Sequence, residues 1–455
     1  MFTLEKLDLV VKAYDIRGLV DKQITPDFTF ALGTAFARFL IEEREPATVV
    51  IGEDMRPSSD GLATAFADGL NSQGIDAKRI GLASTDMLYF ASGSLNLPGA
   101  MFTASHNPAT YNGIKLAKSG ARPIGAESGL LRIKSHMIQG VPMSIGPIGR
   151  TTHLELLDDY VDFLIGIFKD NEFTSGRRLK IVVDAGNGMA GLTAPAIMSR
   201  LNVELVPMYF ELDGNFPNHE ANPIDSKNLK DLVKRVKKEK ADIGLAFDGD
   251  ADRCFLVDER GNLVNPSALT ALIAIRELKR KPGSTIIYNL ISSLAVPEIV
   301  REHGGVPLRS RVGHSYIKAL MAQSDAVFGG EHSGHFYFRD FWRADSGALA
   351  ALFAIAELSH SELPLSELLA PLNRYFSSGE INTVVKNPLE RIKFIKAKYD
   401  EEYEIDELDG ITVTGPDWWF NLRPSNTEPL LRLNVEAHSQ KLMVKVRDGV
   451  LALIG

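Results

Sequence analysis

The chain has 455 residues, 45% hydrophobic and 24% charged, with a formal net charge of −8. That length exceeds one ordinary core and calls for two to four domains, while the apolar content excludes wholesale disorder. The acidic balance argues against a nucleic-acid partner, and the single cysteine, Cys254, excludes an intrachain disulfide and agrees with a reducing compartment.

Residues 1–6 place acidic Glu5 where a signal peptide would run apolar. The longest apolar runs, such as 348–356, are too short to span a bilayer and read as buried helix. A cytoplasmic protein with no membrane partner is expected. In chain order, three stretches then repeat one pattern of β-branched strand, turn, apolar-periodic helix and strand. They are 48–52, 61–73 and 77–80; 179–184, 191–201 and 203–207; and 284–288, 294–303 and 306–309. Such alternation predicts βαβ units with parallel or mixed sheets, and the period of roughly 100 residues points to domain triplication rather than a solenoid. Each unit runs on to a distinctive loop, at 103–108, 248–253 and 330–335. Loops beyond the carboxyl ends of strands gather ligands in open α/β sheets, so the three could share one cleft. The tail differs: an acidic, exposed stretch at 401–408, strands at 411–414 and 430–436 around a polar loop at 423–429, and a closing helix. This organisation predicts three related mixed α/β domains (1–149, 150–258 and 259–371) and a smaller α+β domain (372–455).

Five segments carry chemistry. Ser105, in Thr103-Ala104-Ser105-His106-Asn107-Pro108, follows a strand and precedes a turn forced by Asn107-Pro108, which should expose its polar tip. It reads as a nucleophile, a phosphoryl carrier or a plain turn serine; the Gly-x-Ser-x-Gly pattern of hydrolases is absent. Lys115 follows shortly after. Asp248-Gly249-Asp250-Ala251-Asp252-Arg253 sets three carboxylates at alternate positions, suited to a hard cation such as magnesium or calcium. An EF-hand fails, because Arg253 stands where glycine is required and 254–257 reads as strand. Arg253 offsets these charges or contacts a metal-held phosphoryl group. Gly330-Glu331-His332-Ser333-Gly334-His335 mixes donors and acceptors that suit sugar hydroxyls, with a histidine metal site or a structural turn as alternatives. Arg423-Pro424-Ser425-Asn426-Thr427-Glu428-Pro429 offers an arginine fork, hydroxyls and backbone N–H groups to an anion, or is a polar turn between prolines. Tyr14-Asp15-Ile16-Arg17-Gly18 is uninformative by itself.

Taken in order, these five segments resemble the α-D-phosphohexomutase family across essentially the whole chain, closest to its bacterial phosphomannomutase/phosphoglucomutase branch. The resemblance implies four domains around a central cleft and interconversion of mannose 6-phosphate and mannose 1-phosphate, with glucose phosphates as further substrates. It implies Ser105 as a phosphoserine, and Mg²⁺ held by Asp248, Asp250, Asp252 and the Ser105 phosphoryl group. It implies Glu331, Ser333 and His335 at the sugar, and Arg423, Ser425, Asn426 and Thr427 at the non-reacting phosphate. Tyr14, Arg17, Lys115, Arg253 and His314 would line the reaction centre, with Arg17, Lys115 and His314 as proton-transfer candidates. A hexose phosphate is the implied substrate, a hexose 1,6-bisphosphate the intermediate and activator, and a monomer or homodimer the assembly. Alternatives are a phosphoglucosamine mutase and a metal-dependent sugar phosphatase. One departure is Ile291, where dual-specificity members often carry lysine.

Overall fold

The computed structural model describes residues 2–142, 144, 146–425 and 430–455. In the first repeat, strand Thr48–Glu53 is buried along nearly its whole length. It pairs in parallel with Asp76–Leu82 on one side and Gly99–Phe102 on the other, and helix Ser59–Asn71 returns the chain between the first two. Tyr111–Lys118 then runs antiparallel to Gly99–Phe102, and Ile16–Leu19 antiparallel to Tyr111–Lys118. Helices cover both faces, which is why the strand reads as an unbroken apolar run rather than an alternation. Val49 and Ile51 join Phe36, Phe39, Phe66 and Phe102 in one apolar cluster, while Val50 faces the side of Gly99 and Leu88, the latter in helix Thr85–Leu95. Each fully buried phenylalanine there contributes about 1.5–3 kcal/mol.

The second repeat reuses the scheme: Leu179–Asp184 lies between Val203–Met208 and Ile243–Phe247, both parallel, with Cys254–Asp258 antiparallel at the edge. In the third, Thr285–Asn289 lies between parallel Val306–Ser310 and Phe328–Gly330. In all three the candidate loop leaves the carboxyl end of the third strand. The tail is an antiparallel sheet ordered Phe376–Val384, Leu430–Ala437, Trp418–Pro424, Ile411–Thr414 and Glu404–Asp406. Helices Pro388–Tyr399 and Gln440–Ile454 cover its apolar side. The fold class is therefore the expected one, with one local difference: the acidic stretch 401–408 contains a paired strand, with Ile405 half-buried.

Helix starts follow from local chemistry. Asn265 and Asn387 accept from backbone N–H groups of the first turn, and Pro266 and Pro388 follow, where a missing N–H costs nothing. Residues 348–356 lie in the buried helix Gly347–Ser359. Among the described residues no helix is long and apolar enough to cross a membrane. The chain divides into two compact units, Met1–Val264 with Ser333–Leu368, and Asn265–His332 with Leu369–Gly455.

Candidate active site

In the first unit, the Ser105 turn leaves strand Gly99–Phe102, and Ser105 adopts a left-handed conformation, φ 50°. The expectation of an exposed tip is overturned: Ser105 is 2% exposed. The aspartate loop covers it. Ser105 Oγ donates to Asp248 Oδ2 at 2.6 Å. Gly249 approaches so closely that a Cβ there would lie 2.4 Å from the Ser105 carbonyl oxygen. His106 Nδ1 lies 3.2 Å from Ser105 Oγ.

Asp248, Asp250 and Asp252 leave the fully buried strand Ile243–Phe247 and are themselves buried. Each offers an oxygen within 4.8 Å of the others. Lys115, on strand Tyr111–Lys118, places Nζ 2.7 Å from Asp250 Oδ2 and 2.6 Å from Asp252 Oδ2. Thr85 holds Asp250 twice, donating its hydroxyl to Oδ2 at 2.6 Å and its N–H to the Asp250 carbonyl at 3.0 Å. Next to it Asp86 accepts from Ser84, and from Ser346 at 2.6 Å. Arg253 Nε lies 3.5 Å from Asp248 Oδ2 and 3.2 Å from His335 Nε2. His335 Nδ1 is 3.0 Å from Ser333 Oγ. Arg17 donates to Asn107 Oδ1, in the serine turn, and to Asp15, each at 2.5 Å. Tyr14 is half-buried just before strand Ile16–Leu19.

Three buried like charges within 4.8 Å of one another cannot all be at ease. Burial, with the charges of Asp252 and Asp250, pushes the Asp248 carboxyl well up. Asp252 goes the other way: burial opposes its charge, but Lys115, His335 and Arg253 hold it well below the usual range. Burial also works against the Lys115 ammonium, yet Asp250 and Asp252 keep it well above its ordinary value. Arg17 is likewise raised by Asp15, Asp250 and Asp252 against desolvation. Burial, then the cations Arg253 and Arg17, drive the His106 ring well below its ordinary value. Burial pushes Asp86 up to about 6.

In the second unit, Glu331 follows strand Phe328–Gly330 and is 2% exposed. Its Oε2 accepts from Asn289 Nδ2 at 3.4 Å and from Gly313 N at 3.3 Å. His314 opens helix His314–Ser324, with its side chain outside the described atoms. Arg423 was expected in a loop but lies in strand Trp418–Pro424, buried. Its Nη2 donates to Glu380 Oε2 at 2.6 Å and its Nη1 to Asn434 Oδ1 at 3.2 Å, and Arg432 reaches the other Glu380 oxygen at 2.8 Å. Ser425 N donates to Leu430 O, and Asn426 and Thr427 lie outside the described residues. Ile291 is buried.

Four profiles of the phosphoglucomutase/phosphomannomutase architecture match in order: alpha/beta/alpha domain I over residues 8–139, domain II over 158–261, domain III over 265–375, and the C-terminal domain over 380–453. A phosphomannomutase of Escherichia coli K12 is 39% identical over 450 residues, covering 97% of each chain. The chain belongs to the phosphoglucomutase/phosphomannomutase family. A phosphohexose mutase of Xanthomonas campestris is 38% identical over 446 residues, covering 96% of each chain. A crystal structure of a phosphoglucomutase/phosphomannomutase family protein from Burkholderia thailandensis is 33% identical. It matches with a TM-score of 0.90, covering 100% of this chain and 97% of that one.

The acidic loop fits a hard divalent cation on its own chemistry. All donors are carboxylate oxygens, and Oδ1 of Asp250 and of Asp252 are buried without accepting a hydrogen bond. Several participants carried no signal in the sequence. Thr85 and Glu380 are defined by contacts with residues distant in the chain. Arg56, which grips the serine turn, hinted at itself only as a charge just past a buried strand.

Proposed function

We propose that this phosphoglucomutase/phosphomannomutase family member interconverts mannose 6-phosphate and mannose 1-phosphate, with glucose phosphates as further substrates, through phosphorylated Ser105 and a hexose 1,6-bisphosphate. The observation that carries this is the 2.6 Å hydrogen bond between Ser105 Oγ and Asp248 Oδ2, at the edge of a buried carboxylate trio braced by Lys115. Relatives named phosphomannomutase support the mannose assignment.

In the first half-reaction a bond forms between phosphorus and the free hydroxyl oxygen of the hexose phosphate as the bond from phosphorus to Ser105 Oγ breaks, and the hydroxyl proton leaves to the site. In the second, Ser105 Oγ takes back the other phosphoryl group of the bisphosphate, and its proton returns to the product hydroxyl. Such transfer needs alignment and charge neutralisation more than covalent help. Asp248, Asp250 and Asp252 with a Ser105 phosphoryl oxygen would hold Mg²⁺, which supplies Lewis-acid polarisation of that group. Lys115 and Arg17, both kept charged by carboxylates, supply positive potential beside it, and Arg253 adds more. We assign proton transfer to the set Lys115, Arg17 and His314. Glu331, Ser333 and His335 take the sugar hydroxyls. Arg423, Ser425, Asn426 and Thr427 take the distal phosphate, and Tyr14 lines the centre.

The test is turnover of mannose 1-phosphate against glucose 1-phosphate, with Mg²⁺ and a hexose 1,6-bisphosphate, for wild type and Ser105→Ala. Wild type should form the 6-phosphate with little free phosphate, and Ser105→Ala should be inactive and take up no phosphoryl group. Full activity in Ser105→Ala, or sustained phosphate release by wild type, would overturn the reading.

A further inference from the structure

Arg56 follows strand Thr48–Glu53 and is 3% exposed. A guanidinium has five N–H donors, and each of them has a partner here. Nε donates to Asp54 Oδ2 at 3.1 Å. Nη1 donates to the carbonyls of Pro108 at 2.9 Å and Tyr111 at 3.0 Å. Nη2 donates to the carbonyls of Ser105 at 2.9 Å and Asn107 at 2.7 Å. Four donors therefore close on the turn that carries Ser105. The fifth ties the group to Asp54, whose Oδ1 is fixed by Ser59 Oγ at 2.6 Å and by Arg56 N at 3.1 Å. Phe216, from the second repeat, stacks over the guanidinium at 5.1 Å.

Carbonyls that converge on one cation must turn inward together, and the backbone between them has to wrap around it. Ser105 meets this by taking φ 50°, a conformation that non-glycine residues hold only when their surroundings enforce it. In this conformation its carbonyl accepts from Arg56 while its Oγ donates to Asp248. Any buried guanidinium must satisfy all five N–H groups; what sets this one apart is that four of them gather on the segment around one serine, about fifty residues further on. The charge also suits the chemistry, since a phosphoryl group on Ser105 adds close to two negative charges to this turn.

We infer that Arg56 is a positioning residue for the phosphoryl-carrying serine, holding the Ser105 turn in its left-handed form so that Oγ stays aligned with the aspartate loop. This rests on the function proposed above. The test compares wild type, Arg56→Lys and Asp54→Asn, each checked for folding by circular dichroism and thermal melting. The readouts are kcat and KM with mannose 1-phosphate, and the rate of Ser105 phosphorylation by hexose 1,6-bisphosphate followed by intact mass. Lysine cannot span four carbonyls, so Arg56→Lys should lose about 100-fold in kcat with KM within about threefold, and phosphorylation should slow in step. Asp54→Asn keeps the carbonyl contacts and loosens only the anchor, so about a tenfold loss in kcat is expected. A folded Arg56→Lys with wild-type kcat, or with KM raised and kcat held, overturns the positioning role; if that variant does not fold, Asp54→Asn decides on the same terms. A wild type that neither turns over hexose phosphates nor accepts a phosphoryl group on Ser105 overturns the function and this role together.

Discussion

Gly249 is where the serine turn and the aspartate loop touch backbone to backbone. A Cβ added there would stand 2.4 Å from the Ser105 carbonyl oxygen and 3.3 Å from its carbonyl carbon. An ordinary carbon–oxygen contact is about 3.3 Å, so Gly249→Ala must part the two loops by roughly 0.9 Å. Gly249 is not among the positive-φ glycines, so alanine is sterically wrong without being conformationally wrong. The shift falls on the axis that holds Ser105 Oγ 2.6 Å from Asp248. A displacement near 1 Å at reacting atoms costs about 10²-fold in rate, and overpacking costs about 1–3 kcal/mol in stability. The expected result is a kcat lowered about 100-fold with KM within about threefold, in a variant that still melts cooperatively. Steady-state mutase kinetics with a thermal melt on the same preparation measure both. A Gly249→Ala variant with wild-type kcat would refute the contact as a determinant of alignment.

Asp86 has a folded pKa of about 6 against an ordinary value of 3.8. Between those values the folded chain holds the extra proton, so its contribution to stability is present at pH 4 and lost as pH rises through 6, by up to about 3 kcal/mol. Asp86→Asn removes that loss, and its stability relative to wild type should rise from pH 4 to pH 7 in urea titrations; parallel curves would count against the buried charge. Asp250→Asn removes one of the three carboxylates proposed to hold Mg²⁺ and should raise the Mg²⁺ concentration for half-maximal activity at least about tenfold while lowering kcat; an unchanged titration would take Asp250 out of the proposed site. Gly449, exposed inside helix Gln440–Ile454 with open space around it, should tolerate Gly449→Ala with a gain of about 0.5–1 kcal/mol, read as a higher melting midpoint.

The repeats were legible because runs such as Val49-Val50-Ile51 and Ile181-Val182-Val183 are buried on both faces, leaving no polar alternation to confuse the pattern. The aspartate loop was legible because its three carboxylates, Asp248, Asp250 and Asp252, are local in sequence. Ser105 was harder. Its turn could be seen, but its burial could not, because what covers it is 143 residues away. Arg56 showed only as a charge just past a buried strand, its value lying in carbonyls 49 to 55 residues further on. Arg423 misled by preceding a proline. Pro424 sits at the very end of strand Trp418–Pro424, where a missing donor is tolerated, so the arginine before it remains in the sheet. At 401–408 charge suggested an exposed stretch, yet it contains the paired strand Glu404–Asp406, with Ile405 half-buried.

The first turn of helix Thr85–Leu95 has a bearing on how the chain matures. Thr85 waits for Asp250, 165 residues later, and Asp86 for Ser346, 260 residues later. The unit that contains them is discontinuous, completed only by Ser333–Leu368. At a synthesis rate of about 5–20 residues per second, the first repeat is made and can collapse well before those partners exist. Until then Asp86 lacks its Ser346 partner and the serine turn lacks its aspartate loop. Assembly of this site is thus a late event in biosynthesis, and chains halted before residue 248 would lack the loop that covers Ser105.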